Sequence, residues 1–420
     1  MKDFRIIVLA AGKGVRMKSA LPKVLHPVCG KPMIGYTIEL AQSLGSLKTY
    51  VVVGHQGGMV RKYLPKDARV IIQKRLLGTA DAIRSVLPAM KQYSGNLLVV
   101  CADTPLLKKE TIKDLLKKHR QSKAACTILT AVMERPGGYG RIIRSGGQVI
   151  AIREEKDAAF DEKAVKEINT GVYCFHAPSL IRSISAIRLN SKKKEFYLTD
   201  IIGLLAEKGE TVETVTTDDA KEAAGINTRE DLAFAESVVR KRILSKFMLQ
   251  GVTIVDPDNT YIEASATIGR DTTIRPFTII EQNVKIGRRC SLGPFCRIRP
   301  DTHIGDDVQI GNFTEVSRST LGNKTFMKHF SFVGDSVVGR NVNIGAGVVT
   351  ANYDGKNKNV TRIGDHSFIG SDSVLIAPLK MGKRVVTGAG AVVTKGTKVP
   401  DGTILAGVPA KTILRRKKTP

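Results

Sequence analysis

At 420 residues the chain is long enough for two or three domains with well-buried cores, and 42% hydrophobic and 25% charged residues suit a globular protein. No apolar run reaches bilayer-spanning length, and the start, MKDFRIIVLAAGKG, lacks a cleavable signal pattern, so a cytoplasmic chain with no membrane partner is expected. A net charge of +27 raises nucleic acid as a partner, but there is no Trp and no basic motif interleaved with aromatics; the charge reads as a basic surface facing polyanionic small molecules, with no nucleic acid.

FRIIVLA (4–10) is an apolar run leading into a glycine-rich turn, and PMIGYTIELAQSL (32–44) has helical spacing. TYVVVGH (49–55), ARVIIQ (68–73) and NLLVVCA (96–102) are further apolar runs, with TADAIRSVLPAM (79–90) and KETIKDLLKKH (109–119) as helical intervals. Continuous apolar strands between amphipathic helices predict a mostly parallel, doubly wound, Rossmann-like α/β sheet, with ligands at the carboxyl ends of its strands. NTREDLAFAESVVRKRILSKFMLQ (227–250) opens on an Asn-Thr cap, has acids early and bases late, and contains no Gly or Pro: one long helix, read as an arm between two domains.

Beyond Gly251 the sequence repeats. Ile262, Ile268, Ile274, Ile280, Ile286, Leu292, Ile298, Ile304, Ile310 and Val316 stand six residues apart without a gap. The rhythm slips near Leu321, resumes at Val338 and Ile344, is interrupted by ANYDGKNKNVTR, and returns from Ile363 through Leu405. A period of six matches neither a helix nor a flat strand; it predicts a parallel β-helix with the aliphatic residue stacked inward. The predicted boundaries are 1–227 for the α/β domain, 228–250 for the helix, 251–410 for the β-helix and 411–420 for a basic tail. Six cysteines without a CxxC pair read as small buried hydrophobes in a reducing compartment.

GKGVRM (12–17) resembles a GxGxxG loop, but Met17 stands where the third Gly belongs, and no GK[ST] of a Walker loop follows. Gly12 and Gly14 still admit backbone N–H groups close to a triphosphate, Arg16 and Lys23 can neutralise charge there, and Pro22 stiffens the approach of Lys23. In LLVVCADTPLL, Asp103 stands just past an apolar strand, where an acid can hold Mg²⁺ or, alternatively, cap the next helix.

Together with LLGTADA, GGYGRI, EEKDA, EINTGVY, EFYLTDII and GIN, in that order, these motifs make the chain resemble the sugar-nucleotide pyrophosphorylase family in its bifunctional form. That form joins N-acetylglucosamine-1-phosphate uridylyltransferase to glucosamine-1-phosphate N-acetyltransferase, and the resemblance runs from residue 3 to about 410. It implies an α/β Rossmann-like nucleotidyltransferase domain, a long linker helix and a left-handed parallel β-helix assembled as a homotrimer. The implied partners are UTP, N-acetylglucosamine 1-phosphate, glucosamine 1-phosphate and acetyl-CoA, with Mg²⁺ as cofactor. By resemblance, Leu9, Ala10, Ala11, Gly12, Gly14, Gly78 and Thr79 line the uridine-nucleotide pocket, Gln73 reads the uracil, and Lys23 and Arg16 meet the phosphates. Asp103 and Asn227 hold Mg²⁺, while Gly140, Glu154 and Asn169 bind the sugar.

In the second domain the resemblance makes His329 the base, able as a neutral imidazole to take a proton from an attacking amine. It assigns Arg299 to the sugar phosphate, Asn343 to orientation, Asn352, Tyr353 and Lys358 to the insertion loop, and Ala346, Ser371 and Ala389 to coenzyme A. The sequence departs from the family pattern at Val15 (for Thr), Leu76 (for Gln), Ser317 (for a phosphate-binding Lys, with Arg318 adjacent), Phe332 (for Tyr) and Gly407 (for Arg). A second reading therefore stands beside the first: a uridylyltransferase alone, its β-helix a trimerisation scaffold or an acyltransferase of altered acceptor specificity. A binding protein without turnover is opposed by the presence of Asp103, Asn227, Lys23 and Arg16 together.

Overall fold

The computed structural model describes residues 4–54, 56–90, 92–191 and 194–415, so the second half of the basic tail, 416–420, lies outside the described residues. The chain divides into two compact units, Met1–Ser237 and Val238–Pro420, and the division falls inside the Arg229–Leu249 helix. Thr228 and Asp231 open that helix reciprocally. The Thr228 hydroxyl accepts from the Asp231 N–H at 3.1 Å and the Asp231 carboxylate accepts from the Thr228 N–H at 2.8 Å, a capping box.

In the first unit the sheet path runs Val212–Thr216, Cys126–Val132, Glu167–His176, Asn96–Cys101, Phe4–Ala10, Lys48–Val53, Arg69–Ile72. The last four are mutually parallel, as the apolar runs predict, and their central residues Ile6, Ile7, Val8, Val51, Val52, Leu97 and Val99 are buried on both faces. Glu167–His176 breaks the parallel order, pairing antiparallel with both of its neighbours. Between Val132 and Glu167 the chain forms an Arg141–Ser145/Gln148–Arg153 hairpin and one four-residue helix, with no crossover helix to return it parallel. The expected 79–90 helix stops at Arg84, and Leu87–Ala89 is a 3₁₀ turn, because Pro88 has no N–H to continue the ladder.

The second unit is a left-handed parallel β-helix: two- to four-residue strands distribute over three sheets, and all pairs within the coil are parallel. Ile262 faces Ile280, Ile280 faces Ile298 and Ile298 faces Val316, so the residue that sets the period stacks on its equivalent one coil on. The buried core is continuous from Leu244 to Leu405. Truncating one rung, such as Ile298→Ala, would cost about 2–5 kcal/mol. Glycine follows the buried aliphatic where coils touch: a Cβ on Gly287 would lie 2.6 Å from the Gly305 backbone. Lys411–Arg415 turns back antiparallel on Thr403–Ala406 and covers the last open edge.

Candidate functional site

The Phe4–Ala10 strand delivers Leu9, Ala10 and Ala11 to the carboxyl edge of the sheet, the last two buried. Gly12 follows in open space: among the described residues, none beyond its chain neighbours comes within 4 Å of where its Cβ would be. Gly14 has φ +62, and a Cβ there would sit 2.6 Å from the Cβ of Lys23, so only glycine permits this turn beside this lysine. Arg16 is exposed on a short 3₁₀ turn, Val15–Met17, anchored by buried Met17.

Lys23 links the two predicted metal ligands. Its ammonium pairs with the Asp103 carboxylate and donates to the Asn227 side-chain oxygen at 3.1 Å. Asp103 does not cap a helix, since the next one begins at Lys109 behind Lys108. Instead the Asp103 carbonyl accepts from the Ile226 N–H at 2.9 Å, tying the two loops together. Asn227 is aimed by donating its side-chain amide to the Gly225 carbonyl at 3.1 Å and its backbone N–H to Asp231 at 2.8 Å. One carboxylate and one amide oxygen converging on a cation form a hard donor set that fits Mg²⁺, which takes its other ligands from phosphates and water. Beneath them burial pushes the Cys101 thiol up to about 12, with the Asp103 charge adding, so it is an inert neighbour.

Gln73 is buried after the Arg69–Ile72 strand, and its side-chain amide donates to the Gly78 carbonyl at 3.1 Å and to Asp81 at 2.7 Å. Thr79 accepts from the Leu198 N–H at 2.9 Å. Across the edge, the Gly140 carbonyl accepts from the Asn169 N–H at 2.8 Å. The Asn169 side chain donates to the Tyr173 hydroxyl at 2.7 Å and accepts from the Gly171 N–H at 3.0 Å. Glu154 accepts from the Thr199 hydroxyl at 3.0 Å; burial holds its carboxyl above the usual range, and the charges of Asp200 and Asp157 add to this. Buried Arg141, paired with Glu155 at 2.6 Å, clamps the hairpin that carries Gly140. Sequence reading did not single out Asp81, Tyr173 or Thr199; only the motifs LLGTADA, EINTGVY and EFYLTDII contain them.

In the β-helix, register sorts the predicted residues into two files. Phe332 faces Val349, Val349 faces Val374 and Val374 faces Val392, which places His329, Ala346, Ser371 and Ala389, each three residues earlier, on one corner. His329 is exposed there, next to a groove of about 750 Å³ lined by Phe277, Phe295, Phe313, Phe330 and Phe332. Arg299 and Asn352 directly follow strands of the same sheet and Ser317 ends one, which puts all three at its opposite corner. Arg299 donates to Glu315 at 3.0 Å, while Ser317 is wholly buried. Asn343 lies in register between Phe326 and Phe368 on another sheet. Tyr353 and exposed Lys358 pair across the base of the insertion loop. Asp354 closes that loop by accepting from the Asn357 and Lys356 N–H groups, which bring its carboxyl down to about 2. Gly407 has φ +94, and its carbonyl accepts from the Val392 N–H at 3.1 Å.

A strand-end glycine loop with a Lys–Asp–Asn oxygen site, joined to a hexapeptide β-helix, defines a nucleotidyltransferase fused to an acyltransferase. Residues 6–199 match the MobA-like NTP transferase domain. Residues 265–300 and 283–318 match the bacterial transferase hexapeptide (six repeats), and residues 360–395 the hexapeptide repeat of succinyl-transferase. The bifunctional protein GlmU of Bacillus subtilis (strain 168) is 43% identical over 423 residues, 93% of either chain. That of Shouchella clausii (strain KSM-K16) is 42% identical over 422 residues, 92% of this chain and 93% of its own. The chain belongs to the bifunctional GlmU family, a transferase with uridylyltransferase and acetyltransferase domains in one polypeptide.

Proposed function

We propose that the chain acetylates glucosamine 1-phosphate with acetyl-CoA, then joins the resulting N-acetylglucosamine 1-phosphate to the uridylyl group of UTP, releasing pyrophosphate. The observation that carries the reading is Lys23 bridging Asp103 and Asn227 beside the open Gly12 edge. In the first unit the sugar-phosphate oxygen attacks the α-phosphorus in line, and the bond to the β-phosphate oxygen breaks. Lys23 and Arg16 offset the phosphate charge, and Leu9 to Gly12, Gly14, Gly78 and Thr79 line the nucleotide. The Gln73 side-chain nitrogen is engaged by Gly78 and Asp81, which turns its oxygen toward a base N–H. Gly140, Glu154 and Asn169 hold the sugar. Mg²⁺ between Asp103 and Asn227 would supply further charge neutralisation on the phosphates.

In the second unit the sugar amine attacks the thioester carbonyl, His329 takes the amine proton, and the carbon–sulfur bond breaks to release coenzyme A. Ala346, Ser371 and Ala389 flank the thioester carrier on the His329 corner. Arg299, Asn343, Asn352, Tyr353 and Lys358 serve the acceptor. The two corner files differ by about six residues of coil, up to ~20 Å at strand rise, so one copy alone does not close the site. We assign closure to a homotrimer. Phe277, Phe295 and Phe313 form an exposed stack with ring centroids 4.7 and 5.3 Å apart, an apolar face suited to a second copy of the chain. The free thiols suit a cytoplasmic location.

Wholly buried Ser317 and hydroxyl-free Phe332 favour the second reading, uridylyl transfer alone. Purified chain given UTP and N-acetylglucosamine 1-phosphate should release pyrophosphate, and given acetyl-CoA and glucosamine 1-phosphate should release free thiol. Pyrophosphate with background thiol would leave only the second reading; neither product in the presence of Mg²⁺ would remove both.

A further inference from the structure

Coil partners are eighteen apart at Ile298↔Val316 but seventeen at Ile304↔Leu321 and Leu321↔Val338. One corner of the β-helix is thus a residue short on two successive coils, and the third coil loops out there. Ser317 faces Gly334 and Phe332 faces Val349, so Arg318, Asp335 and Asn352 are consecutive rungs of that corner. Arg318 and Asp335 both hold φ +46, the left-handed region that residues with a Cβ rarely occupy. Arg318 donates to both Asp335 oxygens at 2.7 and 2.8 Å, and its third nitrogen donates to the Ser317 hydroxyl at 2.8 Å. Asp335 also accepts from the Asn352 side-chain amide, at the root of the loop that carries Tyr353 and Lys358. The Asp335 side chain is only 14% exposed and the Arg318 side chain 32%.

We propose that Arg318 and Asp335 are a positioning pair for the acetyl acceptor: Asp335 aims Asn352, and Arg318 cancels the Asp335 charge so that the corner accepts an anionic sugar phosphate. This rests on the acceptor reading above. A bidentate guanidinium satisfies both carboxylate oxygens at fixed geometry. Without it, the Asp335 charge would repel the acceptor's phosphate and compete for Lys358, whose charge already acts on that carboxyl. Ser317, at the position of the family's lysine, orients Arg318 from within the wall.

The test uses the full chain and thiol release. Arg318→Leu should raise the KM for glucosamine 1-phosphate about tenfold while the KM for acetyl-CoA stays within about twofold. The double variant Arg318→Leu/Asp335→Asn keeps an amide oxygen for Asn352, removes the bare charge, and should recover the acceptor KM to within about threefold of the parent. Arg318→Leu matching the parent would overturn the proposal. So would a double variant as weak as the single one, or an acetyl-CoA KM that rises together with the acceptor KM, the mark of an arginine that is merely structural. No thiol release from the parent chain would instead remove the acceptor reading beneath it.

Discussion

Replacing Gly14 with Ala would set a Cβ 2.6 Å from the Cβ of Lys23 on a backbone at φ +62. The left-handed conformation costs an L-residue roughly 1–2 kcal/mol. The clash adds to this and cannot be relieved by rotating the lysine chain, because the atom it meets is the one bonded to the Lys23 backbone. The main chain must therefore give way, carrying the ammonium off Asp103 and Asn227. A displacement near 1 Å of such a group costs on the order of 100-fold in rate. Gly14→Ala should thus lower kcat/KM for pyrophosphate formation about 100-fold and the first unit's Tm by roughly 2–6 °C, with thiol release unchanged. Gly12→Ala is the matched control: no described residue beyond its chain neighbours lies within 4 Å of its Cβ, so its Tm should hold while the KM for UTP rises. Gly14→Ala forming pyrophosphate at the parent rate would refute the phosphate-cradle geometry.

Burial, reinforced by the charges of His176 and Arg120, lowers the His119 imidazole to about 4, and Thr127 hydrogen-bonds it at 2.9 Å. The unfolded chain takes up that proton near pH 6.5 and the folded chain only near 4, so stability falls as pH drops through this window, by up to about 3 kcal/mol. Denaturant midpoints of the parent should diverge from those of His119→Gln between these limits; parallel pH profiles would contradict the assignment. Phe295→Asp, in the middle of the exposed aromatic stack, should convert a trimer to monomer by light scattering and abolish thiol release while sparing pyrophosphate formation. A monomeric parent, or a trimeric variant, would exclude that face as the contact.

The inward file of the β-helix is legible from sequence because one aliphatic residue in six is its entire packing rule. The slip at Leu321 is visible too, but its cause is a shortened corner, and only strand register reveals that Arg318, Asp335 and Asn352 share it. Lys23, Asp103 and Asn227 are recognisable as chemistry-bearing residues in separate motifs. Their meeting depends on sheet topology that brings residue 227 back to the edge after the strand at 96–101. The direction of Glu167–His176 is illegible because a buried strand reads the same both ways and its connection decides the pairing. Asp81, Tyr173 and Thr199 carry no periodic signal; a hydrogen bond that steadies a ligand-binding side chain leaves no pattern along the chain.

Asp103→Asn and His329→Ala should each leave the other half-reaction intact, and mixing the two tests this directly. Supplied with glucosamine 1-phosphate, acetyl-CoA, UTP and Mg²⁺, either variant alone should make no UDP-N-acetylglucosamine. An equal mixture should make it, with the free N-acetylglucosamine 1-phosphate from one chain consumed by the other. A mixture that stays inactive while the parent chain turns over would contradict two independent sites in one polypeptide.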